Sequence, residues 1–168
     1  MNINPNKMLS PHQVANYFIL SSQNDGTELT PMKLIKLCYL SHGWYLGFND
    51  KPLLSEAVYA WKYGPVIHSL YHDFKKYGNG QITTLFRNSE MVYPLPNEED
   101  TDVRLFLDDI WATYRKFSGG QLSTMTHQPN TPWDIVWNQR GGKNQNNAMI
   151  DNDIIKDFYK KKTQQPIS

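Results

Sequence analysis

Three times along the 168-residue chain a serine or threonine is followed at once by proline, at Ser10-Pro11, Thr30-Pro31 and Thr131-Pro132. Ser and Thr are preferred N-caps and proline fits the first helical position, so each pair predicts a helix start. After the first, Gln13 completes a capping box, and Val14, Ala15, Phe18 and Ile19 form one apolar stripe up to Asn24-Asp25-Gly26. After the second, Leu34, Leu37, Cys38, Ser41 and Tyr45 share a face, which predicts a central helix with Lys33 and Lys36 outside. The third opens a helical turn through Trp137. A chain punctuated in this way is committed to helices.

The period changes around residues 58–61, where Val58, Tyr59 and Trp61 favour a strand. Gly64-Pro65 then predicts a turn into a third helix, with Val66, Ile67, Leu70, Tyr71 and Phe74 on one side and Gly78 as its stop. Residues 81–99 hold two β-prone pieces, 82–86 and 91–93, one of them a candidate partner for the first strand. Glu98, Glu99, Asp100 and Asp102 suit a helix N-terminus and precede a stripe of Val103, Phe106, Leu107, Ile110, Trp111, Tyr114 and Phe117. Leu34, Leu37, Phe106, Ile110 and Trp111 are predicted to be buried. Beyond Ser118-Gly119-Gly120 we expect a short helix over 121–127, a mobile Gly- and Asn-rich loop over 138–147, and a last helix capped by Asp151 and stapled by Ile150 and Ile155. The expected architecture is mainly α with a small β-sheet (α+β), a single compact helical domain over 10–162, with flexible ends at 1–9 and 163–168.

Charge and cysteine content narrow the functions. Lys and Arg exceed Asp and Glu by one, 17 against 16, so no overall field draws the chain to nucleic acid or an anionic membrane. The lone Cys38 fits a reducing compartment, no apolar run is long enough to span a bilayer, and the first ten residues lack a signal-peptide pattern. A cytoplasmic protein is expected. Aromatic residues make up 13% of the chain and supply material for a partner-binding face.

Candidate catalytic residues are few. His68 and His72 stand four apart with Asp73 adjacent, a spacing that puts two imidazoles on one metal, but no zincin base follows His68. No G-x-S-x-G elbow, phosphate loop or dinucleotide fingerprint is present, and the acidic run lacks calcium-loop spacing. Neither catalytic residues nor a cofactor is therefore expected. The alternatives are a metal-dependent hydrolase using His68, His72 and Asp73, and a nucleic-acid-binding regulator. What remains is a polar-aromatic surface around the strand and third helix, with Tyr63 and His68 leaning outward and His72 and Lys75 beside them.

These residues carry a resemblance. The run from Leu29 to Leu40, including Lys33 and Leu37, is followed by Gly43-Trp44, Pro52-Leu53-Leu54-x-Glu56 and Ala60-Trp61-x-Tyr63-Gly64-Pro65-Val66, then Leu70-Tyr71 and Tyr77-Gly78. Leu122-Ser123-x-x-Thr126-His127 and Pro132-Trp133 come later in the same order. The chain resembles the Panacea domain, the SocA-like antitoxin family, also labelled phage-associated GepA-like. The resemblance implies a non-enzymatic antitoxin that binds and neutralises a toxin usually encoded beside it; one member instead works as an adaptor delivering its toxin to the ClpXP protease. Some members carry a DNA-binding extension, for which the ten residues before the first helix leave no room, so nucleic-acid binding is not expected. Tyr63, His68, His72 and Lys75 are the candidate partner-binding residues.

Overall fold

The computed structural model describes residues 7–165. Its order is α1 (Pro11–Asp25), α2 (Pro31–Asn49), β1 (Val58–Trp61), β2 (Gly64–Val66), α3 (His68–Phe74), α4 (Thr101–Tyr114), α5 (Gly119–Thr126), α6 (Pro132–Asp134), β3 (Ala148–Ile150) and α7 (Asn152–Thr163). The fold is α+β, with the antiparallel sheet ordered β2-β1-β3.

The hydroxyl–proline starts form as the local chemistry requires. Ser10 accepts from Gln13 N while the Gln13 side chain accepts from Ser10 N, and Thr30 and Thr131 accept from Lys33 N and Asp134 N. Gly26 closes α1 in the left-handed conformation at φ 76°. Ser118, read from sequence as part of a break, is itself a cap: with Gln121 it forms a second capping box and starts α5 at Gly119. Asp151 makes no side-chain cap, and its backbone carbonyl receives Ile155 N instead.

Helix α2 is wrapped on every side, by α1, α4, α5, α7, α3 and β2. Leu34, Leu37 and Cys38 are fully buried, as expected, but so nearly are Lys33 and Lys36. An amphipathic helix keeps one face for water, and a helix at the middle of the domain has almost none. Their ammonium groups end on backbone carbonyls, Lys33 Nζ on Arg115 just past α4 and Lys36 Nζ on Pro65 at 2.7 Å. Helix α7 lies closest to α2, with the Tyr159 ring over Gly43 and its backbone over Gly47. His42, also buried, has Nδ1 accepting from Leu54 N and Nε2 against Asn152 Oδ1 at 2.8 Å, so it ties α2 to the first residue of α7.

On α4, Leu107, Ile110 and Trp111 are buried, whereas Phe106 is half-exposed and packs edge-on against Tyr45. The first turns of the helix lie at the margin of the domain, where Val103 and Phe106 pack against the core but are only partly covered. Ile110→Ala is expected to cost about 2 kcal/mol, the low end for a buried aliphatic truncation, because Ile110 borders that margin. Chemical denaturation measures it, and a loss under about 0.5 kcal/mol would contradict the packing.

The segment expected to pair with β1 does not. Residues 81–99 carry no strand; they are pinned to α1 by buried Asn16, whose amide donates to the Phe86 and Pro94 carbonyls and accepts from Phe86 N. With those backbone groups satisfied and two prolines in the stretch, a ladder has little to offer. Besides β2, the partner of β1 is β3, whose Ala148 faces Ala60 and Ile150 faces Val58. The preceding stretch, expected to be mobile, folds as a π turn over Ile135–Gln139 and a 3-10 turn over Gly142–Asn144, where a Cβ on Gly142 would meet the Val136 carbonyl at 2.6 Å. Leu9 adds a parallel bridge to Leu54. Residues 1–6 and 166–168, within the ends expected to be flexible, lie outside the described residues.

Candidate functional site

The hairpin of β1 and β2 turns at Lys62-Tyr63, with Trp61 opposite Gly64. Three of its carbonyls are each taken by a side chain from elsewhere. Trp133 Nε1 donates to Trp61 O at 2.6 Å, Ser123 Oγ donates to Tyr63 O at 2.6 Å, and Lys36 Nζ donates to Pro65 O. Thr126, buried beneath, returns its hydroxyl to Leu122 O, and His127 packs its ring 5.3 Å from that of Trp133. Pro132 starts the turn that places Trp133. Gly64 is required here: its φ is +109°, and a Cβ would lie 2.9 Å from Lys36 Nζ. The two separated sequence blocks therefore meet, the later one holding the hairpin of the earlier in place.

Side chains alternate along β1. Val58 and Ala60 point into the core, while Tyr59 and Trp61 form the other face. His68 lies on that face, its ring stacked 3.9 Å from Tyr59 and 5.2 Å from Trp61, and Tyr71 meets Trp61 edge-on at 4.9 Å. Burial, followed by the neighbouring His72 charge, pushes the His68 pKa down. His68 therefore does not lean outward. The reason is a shift in helix start: Val66 belongs to β2 and Ile67 is the cap, so α3 begins at His68 and its first turn packs on the strand. The same shift leaves Tyr71 exposed, while Leu70 and Phe74 remain inside.

The other candidate residues separate. Tyr63 is 61% exposed at the hairpin tip, and His72 and Lys75 are exposed along α3 and the turn after it. Asp73 is drawn away to His12 of α1 at 2.6 Å. His68, His72 and Asp73 thus face three different neighbours, and among the described residues no three His, Cys, Asp or Glu side chains are grouped to hold a metal ion. Cys38 is buried, which pushes its thiol well up. Of the other motif residues, Lys33, Leu37, Ala60, Pro65 and Val66 are buried and Glu56 is half-buried.

Between the hairpin, the start of α2, the end of α3 and residues 145–147 runs an open groove of about 800 Å³. Met32, Ile35, Trp61, Tyr63, Tyr71 and Trp137 supply its apolar walls. Its charged lining is Lys36, Lys62 and Lys75. Burial pushes the Lys36 ammonium down to about 7. Sequence reasoning placed Tyr63 and Lys75 at this surface but missed Lys36, Lys62 and Trp137. No local signal distinguishes a buried lysine on a central helix from one on a solvated flank.

The described residues thus form a compact α+β domain with one hairpin held beside an open, aromatic-walled groove. The chain belongs to the SocA-like antitoxin, Panacea domain family, whose profile matches residues 34–134. It is 26% identical over 151 residues to Antitoxin SocA of Caulobacter vibrioides (strain NA1000 / CB15N), an alignment covering 88% of this chain and 80% of that protein. No solved structure matches the chain significantly. Among the described residues no helix is long and apolar enough to cross a membrane.

Proposed function

We propose that this protein is an antitoxin that neutralises a cognate protein toxin by direct binding, and that the hairpin tip and groove, with Tyr63 and Lys75, form the binding face. Family membership supports the class. The observation that carries the surface is the clamped hairpin: the side chains of Ser123, Trp133 and Lys36 hold the backbone on both sides of an exposed tyrosine. A preorganised aromatic beside a groove loses little entropy on binding, which is how hot spots gain their energy. His72 is exposed on α3 but outside the groove lining, and His68 acts from beneath, supporting Tyr59 and Trp61 rather than touching the partner.

Co-expression with the protein encoded by the adjacent gene tests the class, with survival of otherwise poisoned cells as the expected result. Repeating the rescue in cells lacking ClpXP separates occlusion from delivery to that protease. Tyr63→Ala with Lys75→Ala is expected to weaken toxin binding by about 1–3 kcal/mol in calorimetric titration. Thermal stability should hardly change, since both side chains are exposed. An unchanged dissociation constant would place the interface elsewhere on the domain.

A further inference from the structure

We propose that the groove beside the hairpin takes an acidic segment of the toxin, its carboxylates seated against Lys36, Lys62 and Lys75 and its apolar side chains against Trp61, Tyr71 and Trp137. The inference rests on the toxin-binding reading above and adds the chemistry of what is bound. The chain as a whole is almost neutral, yet every charged residue lining this groove is a lysine and none is an Asp or Glu. Among the described residues none of the three stands in an ion pair. Lys62 lies over the Tyr63 ring, 5.5 Å from its centre, which leaves its charge at the mouth of the groove.

Lys36 is the most informative of the three. It is 4% exposed and donates to the Pro65 carbonyl, a neutral acceptor. An ammonium carries three donors, and a buried cation without a counter-charge is unfavourable unless one arrives from outside. The walls suit a peptide rather than a bare anion. Trp61 is fixed edge-on by Tyr71 and by its Nε1 bond to Asn147 Oδ1 at 3.2 Å, so a flat apolar surface stands ready beside the cations. A basic segment would meet the like charges of exposed Lys62 and Lys75 there, which makes the groove selective as well as receptive.

The test is charge reversal in the full chain, using the toxin identified by the rescue assay. Lys62→Glu with Lys75→Glu is compared with Lys161→Glu with Lys162→Glu on α7, an equal change of charge at exposed residues outside the groove. The groove pair should lose at least about 30-fold in affinity and fail to rescue, with unchanged melting, while the α7 pair stays within about threefold of wild type. Equal losses for both pairs, or no loss for the groove pair, would overturn the proposal while leaving the antitoxin reading intact. A wild-type chain that binds no toxin would overturn that reading itself. A second measurement needs no toxin. The peptide acetyl-Trp-Glu-Phe-Glu-amide at millimolar concentration should shift the Trp61 indole N–H signal of isotope-labelled protein. Its Gln counterpart should bind at least about fivefold more weakly, and Lys36→Met should erase the difference. Equal binding of the two peptides would overturn the carboxylate assignment, and displacement of the acidic peptide by a short single-stranded oligonucleotide would transfer the groove to phosphate.

Discussion

Replacing Gly43 and Gly47 together with Ala is expected to strip α7 from the domain, at a cost of about 4–6 kcal/mol. Two overpacking penalties toward the upper end of their range add here, because the neighbour at each site is held in place. A Cβ at Gly43 would lie 2.4 Å from Tyr159 Cε2, and one at Gly47 would lie 2.8 Å from the Tyr159 backbone carbon. The ring is held by contacts with Tyr39 and Trp44, and the backbone belongs to a helix that packs chiefly on α2. The two glycines, one helical turn apart, let the helices approach more closely than any side chain permits. Domains of this size have about 5–15 kcal/mol in hand, so the double variant should retain little native population at 37 °C. Urea denaturation with Tyr and Trp fluorescence reads the effect. Gly43→Ala alone, which meets only ring atoms, should cost less than Gly47→Ala; the reverse order would mean that the ring is the more rigid neighbour.

Lys36 makes stability depend on pH with a definite sign. Its ammonium has an ordinary pKa of 10.5 and is pushed down to about 7 by burial. Between those values the unfolded chain holds a proton that the folded chain has released, so folding stability rises with pH across that window. Below about 7 both states are charged and the full penalty is present; above about 10.5 both are neutral and it vanishes. The contribution should amount to about 3 kcal/mol between pH 7 and pH 9.5, seen as the difference in slope between the protein and Lys36→Met. The Met variant removes the titrating group and leaves the Pro65 carbonyl without its donor, a loss of about 1 kcal/mol that does not vary with pH. Parallel stability curves for the two chains would show that Lys36 keeps an ordinary pKa and would overturn the prediction. Bound toxin with a carboxylate on Lys36 should flatten the slope as well, since a counter-charge favours the ammonium.

Helix starts were legible along the chain because capping is a local event. Ser10, Pro11 and Gln13 meet within one turn whatever the rest of the chain does, and Thr30-Pro31 and Thr131-Pro132 behave the same way. The apolar stripes of α1 and α4 were equally readable, as was the strand at Val58–Trp61, because each element's own period states which side must be covered. The two blocks of motif residues stood in plain view, and with them the family.

Their purpose was not in view. That Ser123 and Trp133 reach back to the carbonyls of Tyr63 and Trp61, some 60 to 72 residues away, follows from the route of the chain around α2, on which no residue type reports. The start of α3 moved to His68 because Val66 found a ladder partner in Tyr59, and a two-residue shift turned His68 onto the sheet and Tyr71 toward solvent. Strand β1 took β3 rather than residues 81–99, where Asn16 holds the Phe86 N–H and the Phe86 and Pro94 carbonyls and two prolines disfavour a ladder. Lys33 and Lys36 look like the polar flank of an amphipathic helix until α2 is seen enclosed on all sides. Caps and periods are thus determined by neighbours in sequence. The clamped hairpin and the lysine in its groove depend on which distant groups reach an unsatisfied carbonyl first, and only the packed domain decides that.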